Sequence, residues 1–203
     1  MKGRRLNTSL ITNLPRRTRF EEIFTNLIPQ TQGLDIVTSD IDVTAFLPYA
    51  SQWNGIQKTR IIIGHPATTS SRKDLSDHIW DYNESTIEFA KMVTDDLTAL
   101  ETVRNLIQTG RIEIRAYQKD RLRAAAYLFK ASQNGNTGFV GSSDFTEEGL
   151  KYPIEINAQL DAEQCRHLAE LFETLFKASY DISPEIVRQI DRHTHNFTPH
   201  DVY

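Results

Sequence analysis

Apolar and polar residues follow strand-like and helix-like periods along most of the chain. Short apolar runs predict six β-strands, at Leu34–Ser39, Lys58–Gly64, Ile112–Tyr117, Ala124–Phe129, Thr137–Val140 and Ile154–Leu160. The continuous apolar character of Lys58–Gly64 favours a buried parallel strand. Asn134-Gly135 separates the fourth run from the fifth and predicts a β-hairpin, because both residues accept positive φ. In the sixth run, alternation predicts Ile154, Ile156 and Ala158 on one face and Glu155, Asn157 and Gln159 on the other.

Helical spacing of apolar residues separates these strands. Helices are predicted from Thr18 with a capping box to Glu21, over Ala45–Trp53 and Ser85–Thr109, from Asp161 to about Ser179, and from Ser183. Strands interleaved with helices in this order predict an α/β fold: a mixed β-sheet flanked by helices on both faces. We expect a basic arm at residues 1–17, one domain at 18–196 and a tail at 197–203. The loop after the second strand, Gly64–Arg72, is expected near the functional site.

Composition places this domain among soluble globular proteins. Of 203 residues, 39% are hydrophobic and 25% charged. No apolar run approaches the roughly 20 residues that span a bilayer, so we expect no membrane association. The single cysteine, Cys165, excludes an internal disulfide and favours a reducing, cytoplasmic location.

Positive charge is concentrated in two segments of a chain whose net charge is −4. Residues 1–20 contain basic residues and no acidic ones, and residues 111–131 contain more basic residues than acidic ones. The basic residues of the second segment are Arg111, Arg115, Lys119, Arg121, Arg123 and Lys130. This distribution predicts a phosphate-binding face, with ordinary solvated surface charge as the alternative.

The most informative stretch is residues 121–157. It contains Y-L-F at 127–129, then F-V-G-S-S-D-F-T from Phe139, then Glu155 on the following strand. The stretch resembles the phospholipase D superfamily, whose motif is H-x-K, then G-S-x-N, then a strand bearing an acidic residue or Asn. The match is to the superfamily's nuclease-like and helicase-attached members. Aligned on Tyr127, the motif His falls on Arg123 and the motif Lys on Ala125.

The resemblance implies a phosphodiesterase scaffold. In the family, His attacks phosphorus, a second His protonates the leaving oxygen, and Lys and Asn bind the phosphoryl oxygens, without a metal or other cofactor. The catalytic positions correspond to Arg123, Ala125, Ser142, Asp144 and Glu155. The residues predicted to contact substrate are Arg121, Lys130, Gly141, Ser143 and Asn157.

The two substitutions predict a scaffold that is inactive as written. Arg123 stays protonated and supplies neither nucleophile nor transferable proton, although its planar fork suits phosphate. We therefore expect the site to bind nucleic acid without cutting it, unless Asp144 or Glu155 pairs with Arg123. Three alternatives stay open: a non-catalytic binding or dimerisation module, a phosphodiesterase that uses surrogate residues, and Arg123 as an ordinary surface residue.

The resemblance also bears on partners. A single motif per chain implies a homodimer whose two-fold interface completes the site. T-P-x-x-x-Y at 198–203 resembles the junction to a following helicase domain, which predicts an N-terminal module of a helicase-type protein. The His193–His195 pair is a weaker candidate for metal binding, because no further ligands lie near it in sequence.

Overall fold

A mixed eight-stranded sheet forms the centre of the computed structural model, which describes residues 10–14, 17–64, 94–119, 122–131, 135–151 and 154–194. The strands are β1 (Leu10–Thr12), β2 (Gly33–Thr38), β3 (Lys58–Gly64), β4 (Ile112–Tyr117), β5 (Ala125–Lys130), β6 (Thr137–Gly141), β7 (Ile156–Leu160) and β8 (Tyr180–Asp181). Their order is β1-β7-β6-β5-β2-β3-β4-β8. β2, β3 and β4 are parallel, and every other pairing is antiparallel.

Helices cover both faces of the sheet, as predicted. They are α1 (Phe20–Leu27), α2 (Ala50–Trp53), α3 (Thr94–Gln108), α4 (Glu147–Lys151), α5 (Ala162–Ala178) and α6 (Ser183–Thr194), with 3-10 helices at Ile28–Gln30 and Val43–Tyr49. The larger core lies between one face and residues of α1, α3, α4 and α6. The smaller core lies under α5 on the other face and includes Phe172 and Phe176.

Sequence periodicity located the central elements well. The predicted strands over Lys58–Gly64 and Ile112–Tyr117 match β3 and β4, and the hairpin forms between β5 and β6. Gly135 adopts the positive φ expected of the hairpin turn, at 75°. Asp161 caps α5 through a capping box with Gln164. Phe24, an apolar residue of α1, is buried.

One local prediction is wrong. The capping box from Thr18 to Glu21 does not form: α1 begins at Phe20, whose N–H donates to the side chain of Asn13 at 2.9 Å. In β7, Asn157 is buried while Ile156, on the opposite face, is 55% exposed. The Asn157 side-chain N–H donates a hydrogen bond to Ser143, and α5 leaves the face that carries Ile156 partly uncovered.

The parallel strands define two ends of the sheet. At one end of the sheet, β2 and β3 finish while β5 and β7 begin; we call this the site end. The other end, where β2 and β3 begin, is called the opposite end. At the opposite end, Asp35 forms a bidentate ion pair with Arg60, both bonds at 2.8 Å, and a second pair with Lys130. The Arg60 guanidinium also stacks over Phe172 and Phe176 of α5.

Several predictions fall outside the described residues. These are the basic arm before residue 10, the loop beyond Gly64, the helix before Thr94, residue Arg121, and the tail with His195. No helix among the described residues combines the length and apolar character that crossing a bilayer requires.

Candidate anion-binding site

Most of the strands have one end at the site end of the sheet. Among them, β2, β3 and β6 finish there, at Thr38, Gly64 and Gly141, and β5 and β7 begin there, at Ala125 and Ile156. Close packing joins β3 to the segment before β5, because a Cβ on Gly64 would lie 2.1 Å from the Leu122 carbonyl oxygen. In open α/β sheets, ligands bind beyond the carboxyl ends of parallel strands. The site end is therefore the place to examine the motif residues.

We call Gly141–Asp144 the GSSD segment. Its first residue has no room for a side chain, because a Cβ on Gly141 would lie 2.2 Å from the Ile156 carbonyl oxygen and 2.4 Å from Asn157 Oδ1. Ser142 follows and is exposed; its hydroxyl donates a short hydrogen bond to Glu155 Oε2 and accepts from the Ile156 N–H at 3.1 Å. Glu155 and Ser142, both predicted site residues, are therefore in direct contact.

Ser143 and Asn157 are not available to a substrate, contrary to expectation. Ser143 is 0% and Asn157 1% exposed. The Asn157 side chain donates to Ser143 Oγ at 2.8 Å, and the phenol of Tyr127 donates to the Ser143 carbonyl at 2.7 Å. Both side chains therefore form contacts inside the protein and are not exposed to a ligand.

Asp144 points towards β2. Its Oδ1 accepts from the Ser39 N–H at 2.6 Å and lies 2.9 Å from the Thr38 hydroxyl, whose single proton is shared between this carboxylate and the Asp40 carbonyl at 2.6 Å. The same hydroxyl accepts from the Phe145 N–H at 2.8 Å, so Thr38 links β2 to both residues. Burial raises the pKa of the Asp144 carboxyl, and the nearby charge of Asp40 adds to the rise. The hydrogen bonds from Ser39 and Thr38 oppose this rise only in part.

Arg123 is exposed and lies two residues before β5. No described residue forms a hydrogen bond or ion pair with it. The two carboxylates that could have paired with it are engaged elsewhere, Asp144 with β2 and Glu155 with Ser142. Ala125, at the position of the motif Lys, is 3% exposed and belongs to the larger core.

The basic residues of 111–131 are divided between the two ends of the sheet. Lys130 lies at the opposite end in its pair with Asp35, so the structure does not bring it to the GSSD segment. Arg111 donates to the carbonyls of Asn54 and Ile56, and Arg115 pairs with Glu113. Arg17, Arg19, Lys119 and Arg123 are exposed. Of the basic residues in 111–131, Arg111, Arg115 and Lys130 thus have partners within the protein.

Sequence reasoning missed Thr38 and Tyr127, which join the GSSD segment to β2 and β5. Thr38 had a detectable signal, since a polar residue ends an apolar strand at the end where ligands bind. Tyr127 had none, because a tyrosine in an apolar run is usual in a buried strand.

Arg123 places an exposed guanidinium just before β5, and Ala125 places a buried methyl group at the start of this strand. The described residues contain no group of three or more His, Cys, Asp or Glu side chains that could bind a metal.

Neither a protein-family model nor a curated protein matches the sequence. Solved structures do resemble the fold. Nuc from Salmonella typhimurium, a phospholipase D family member, aligns over 85% of this chain and 95% of its own, with TM-score 0.51 and 10% identity. Phosphatidylserine synthase from Haemophilus influenzae Rd KW20 aligns over 86% of this chain and 39% of its own, with TM-score 0.52 and 13% identity.

Polyphosphate kinase from Porphyromonas gingivalis is a third similar structure, with TM-score 0.50 and 14% identity over 82% of this chain and 22% of its own. This chain thus spans nearly all of one similar protein and a minority of the two others. At such identities the likeness concerns architecture alone. The chain has a phospholipase D-like fold, a mixed eight-stranded sheet with helices on both faces.

Proposed function

We propose that this domain binds the phosphodiester backbone of nucleic acid at Arg123 and does not cleave it. One observation carries the proposal: Arg123 is exposed at the site end, and Asp144 and Glu155, the two acidic residues of the motif stretch, have other partners. An arginine fork without a carboxylate partner binds phosphate oxygens in two parallel hydrogen bonds. Arg17, Arg19 and Lys119 are exposed as well and would supply further positive charge.

The absence of cleavage follows from the residues at the two motif positions. Attack on phosphorus requires a group that gives up or lacks a proton, and the guanidinium keeps its protons at physiological pH. The Ser142 hydroxyl is the remaining exposed nucleophile of the segment. Its proton is directed at the carboxylate of Glu155, an acceptor that is a weak base compared with histidine.

A nuclease assay on two proteins tests this proposal. The chain as given is expected to bind a labelled oligonucleotide without cutting it, while Arg123→His/Ala125→Lys is expected to gain hydrolysis. Circular dichroism must first show that the double variant is folded, because Ala125 is 3% exposed. Cleavage by the unmodified chain would show that surrogate residues perform the chemistry. No binding by the unmodified chain would leave dimerisation as the better function.

A homodimer is part of the proposal, since each chain supplies one motif. Val140 and Ile156, 41% and 55% exposed, lie next to Ser142 on the sheet face that α5 covers only in part. Apolar side chains in such a position suit a second copy of the chain. A single monomeric species in sedimentation at micromolar concentrations would exclude the dimer for this domain.

We also propose that the domain precedes a helicase-type domain. The support is the T-P-x-x-x-Y pattern that ends at Tyr203 and the resemblance to helicase-attached members. The sequence following Tyr203 in the native gene product tests this directly. A phosphate-binding G-x-x-x-x-G-K-[ST] loop there is expected, and its absence would exclude an attached helicase motor.

A further inference from the structure

Three buried side chains from three strands contact the GSSD segment from inside the protein. Thr38 of β2, Tyr127 of β5 and Asn157 of β7 are each at most 1% exposed, so none of them can touch a bound nucleic acid. Thr38 bonds to Asp144, and the other two bond to Ser143. The segment is therefore fixed at two successive residues, and Ser142 has its only fully exposed side chain.

Of these three residues, Tyr127 is the one closest to Arg123 along the chain. Arg123 lies two residues before β5, and Tyr127 is the third residue of that strand. The Tyr127 ring packs against Phe20 and Phe24, with centroid distances of 4.8 and 5.9 Å, which fixes the direction of its phenol. The hydrogen bond to the Ser143 carbonyl then sets the segment that bears Ser142 relative to the strand that follows Arg123.

We propose that Thr38, Tyr127 and Asn157 are positioning residues that set Ser142 beside Arg123 and so preorganise the anion site. The inference rests on the proposed function, because it assumes that Arg123 binds phosphate. Preorganisation lowers the cost of ordering a site on binding, so loss of one of these bonds should weaken binding without removing a phosphate contact. A purely structural role would change the stability of the fold and leave affinity intact.

Tyr127→Phe removes one hydroxyl and keeps the ring, and Tyr49→Phe is its matched control. Tyr49 is also a buried phenol, it also packs against Phe24, and its hydroxyl makes no hydrogen bond to the GSSD segment. Binding of a short labelled oligonucleotide is measured by fluorescence anisotropy at two salt concentrations. Tyr127→Phe is expected to bind about 3- to 10-fold more weakly with an unchanged salt slope, and Tyr49→Phe to bind like the unmodified chain.

A double-mutant cycle with Arg123→Ala separates the two proposals. If Tyr127 acts through the Arg123 site, the effect of Tyr127→Phe on affinity should shrink in the Arg123→Ala background. An unchanged affinity in Arg123→Ala alone would overturn the proposed function. A reduced affinity in Arg123→Ala with unchanged affinity in Tyr127→Phe would overturn only the positioning role, as would equal losses in Tyr127→Phe and Tyr49→Phe.

Should Tyr127→Phe fail to fold, Ser143→Ala, which removes the Asn157 bond, replaces it in the same cycle with the same expected outcomes.

Discussion

The two ends of the sheet use arginine in opposite ways. At the opposite end, Arg60 is 17% exposed in its side chain and is surrounded by Asp35, Glu173 and two phenylalanine rings. At the site end, Arg123 is exposed and has no described partner. The same residue type therefore stabilises the fold in one place and offers a ligand site in the other. Availability for binding depends on the neighbouring carboxylates and not on the number of basic residues.

The largest expected effect is a loss of stability at the opposite end of the sheet, where Arg60 stabilises the fold. Arg60→Met leaves the Asp35 carboxylate, 3% exposed, with Lys130 as its remaining partner, and should cost about 2–4 kcal/mol of unfolding free energy. Chemical denaturation measures this cost. Arg166→Met is the control. Arg166 lies on α5, the helix that packs over Arg60, but its side chain is 60% exposed, so this substitution should change stability by less than about 0.5 kcal/mol. Equal effects in the two variants would contradict the assigned difference.

A smaller effect is expected at the site end, where the GSSD segment packs on β7. Gly141→Ala places a Cβ against the Ile156 carbonyl, which belongs to the sheet and cannot move freely, and should cost about 1–3 kcal/mol. Oligonucleotide affinity should fall with it. Gly33→Ala at the opposite end is the control, since its Cβ would meet the flexible Lys130 side chain at 3.4 Å. A fully stable Gly141→Ala would show that the segment is loosely packed.

The next prediction concerns pH. The pKa of Asp144 is raised in the folded protein, chiefly by burial, so the unfolded chain loses this proton first as pH rises. Stability from this group is thus complete below the unfolded pKa and declines as pH rises through the folded pKa. In Asp144→Asn the side chain does not titrate, so the stability of this variant does not show that decline with pH. Its melting temperature relative to the unmodified chain should therefore increase from about pH 4 to about pH 7. A difference that stays constant over this range would exclude the raised pKa.

The sequence predicted the sheet better than the surroundings of each side chain. Apolar periodicity sufficed for β3 and β4, because buried parallel strands have a continuous pattern that little else produces. Asn157 was expected to contact substrate, and alternation could not reveal that its amide is buried and donates to a distant serine. Likewise Lys130 counts as a positive charge in sequence, and only the fold shows that Asp35 neutralises it.

The central claim is that Arg123 contacts phosphate, and the salt dependence of binding tests it most directly. Each phosphate contact releases counterions, so Arg123→Ala should bind an oligonucleotide more weakly, with a slope of log affinity against log salt shallower by about one unit. Arg166→Ala, an exposed arginine on the helix that covers the other sheet face, should keep the original slope. The account predicts a change in Arg123→Ala alone. Identical affinity and slope in Arg123→Ala and the unmodified chain would contradict it.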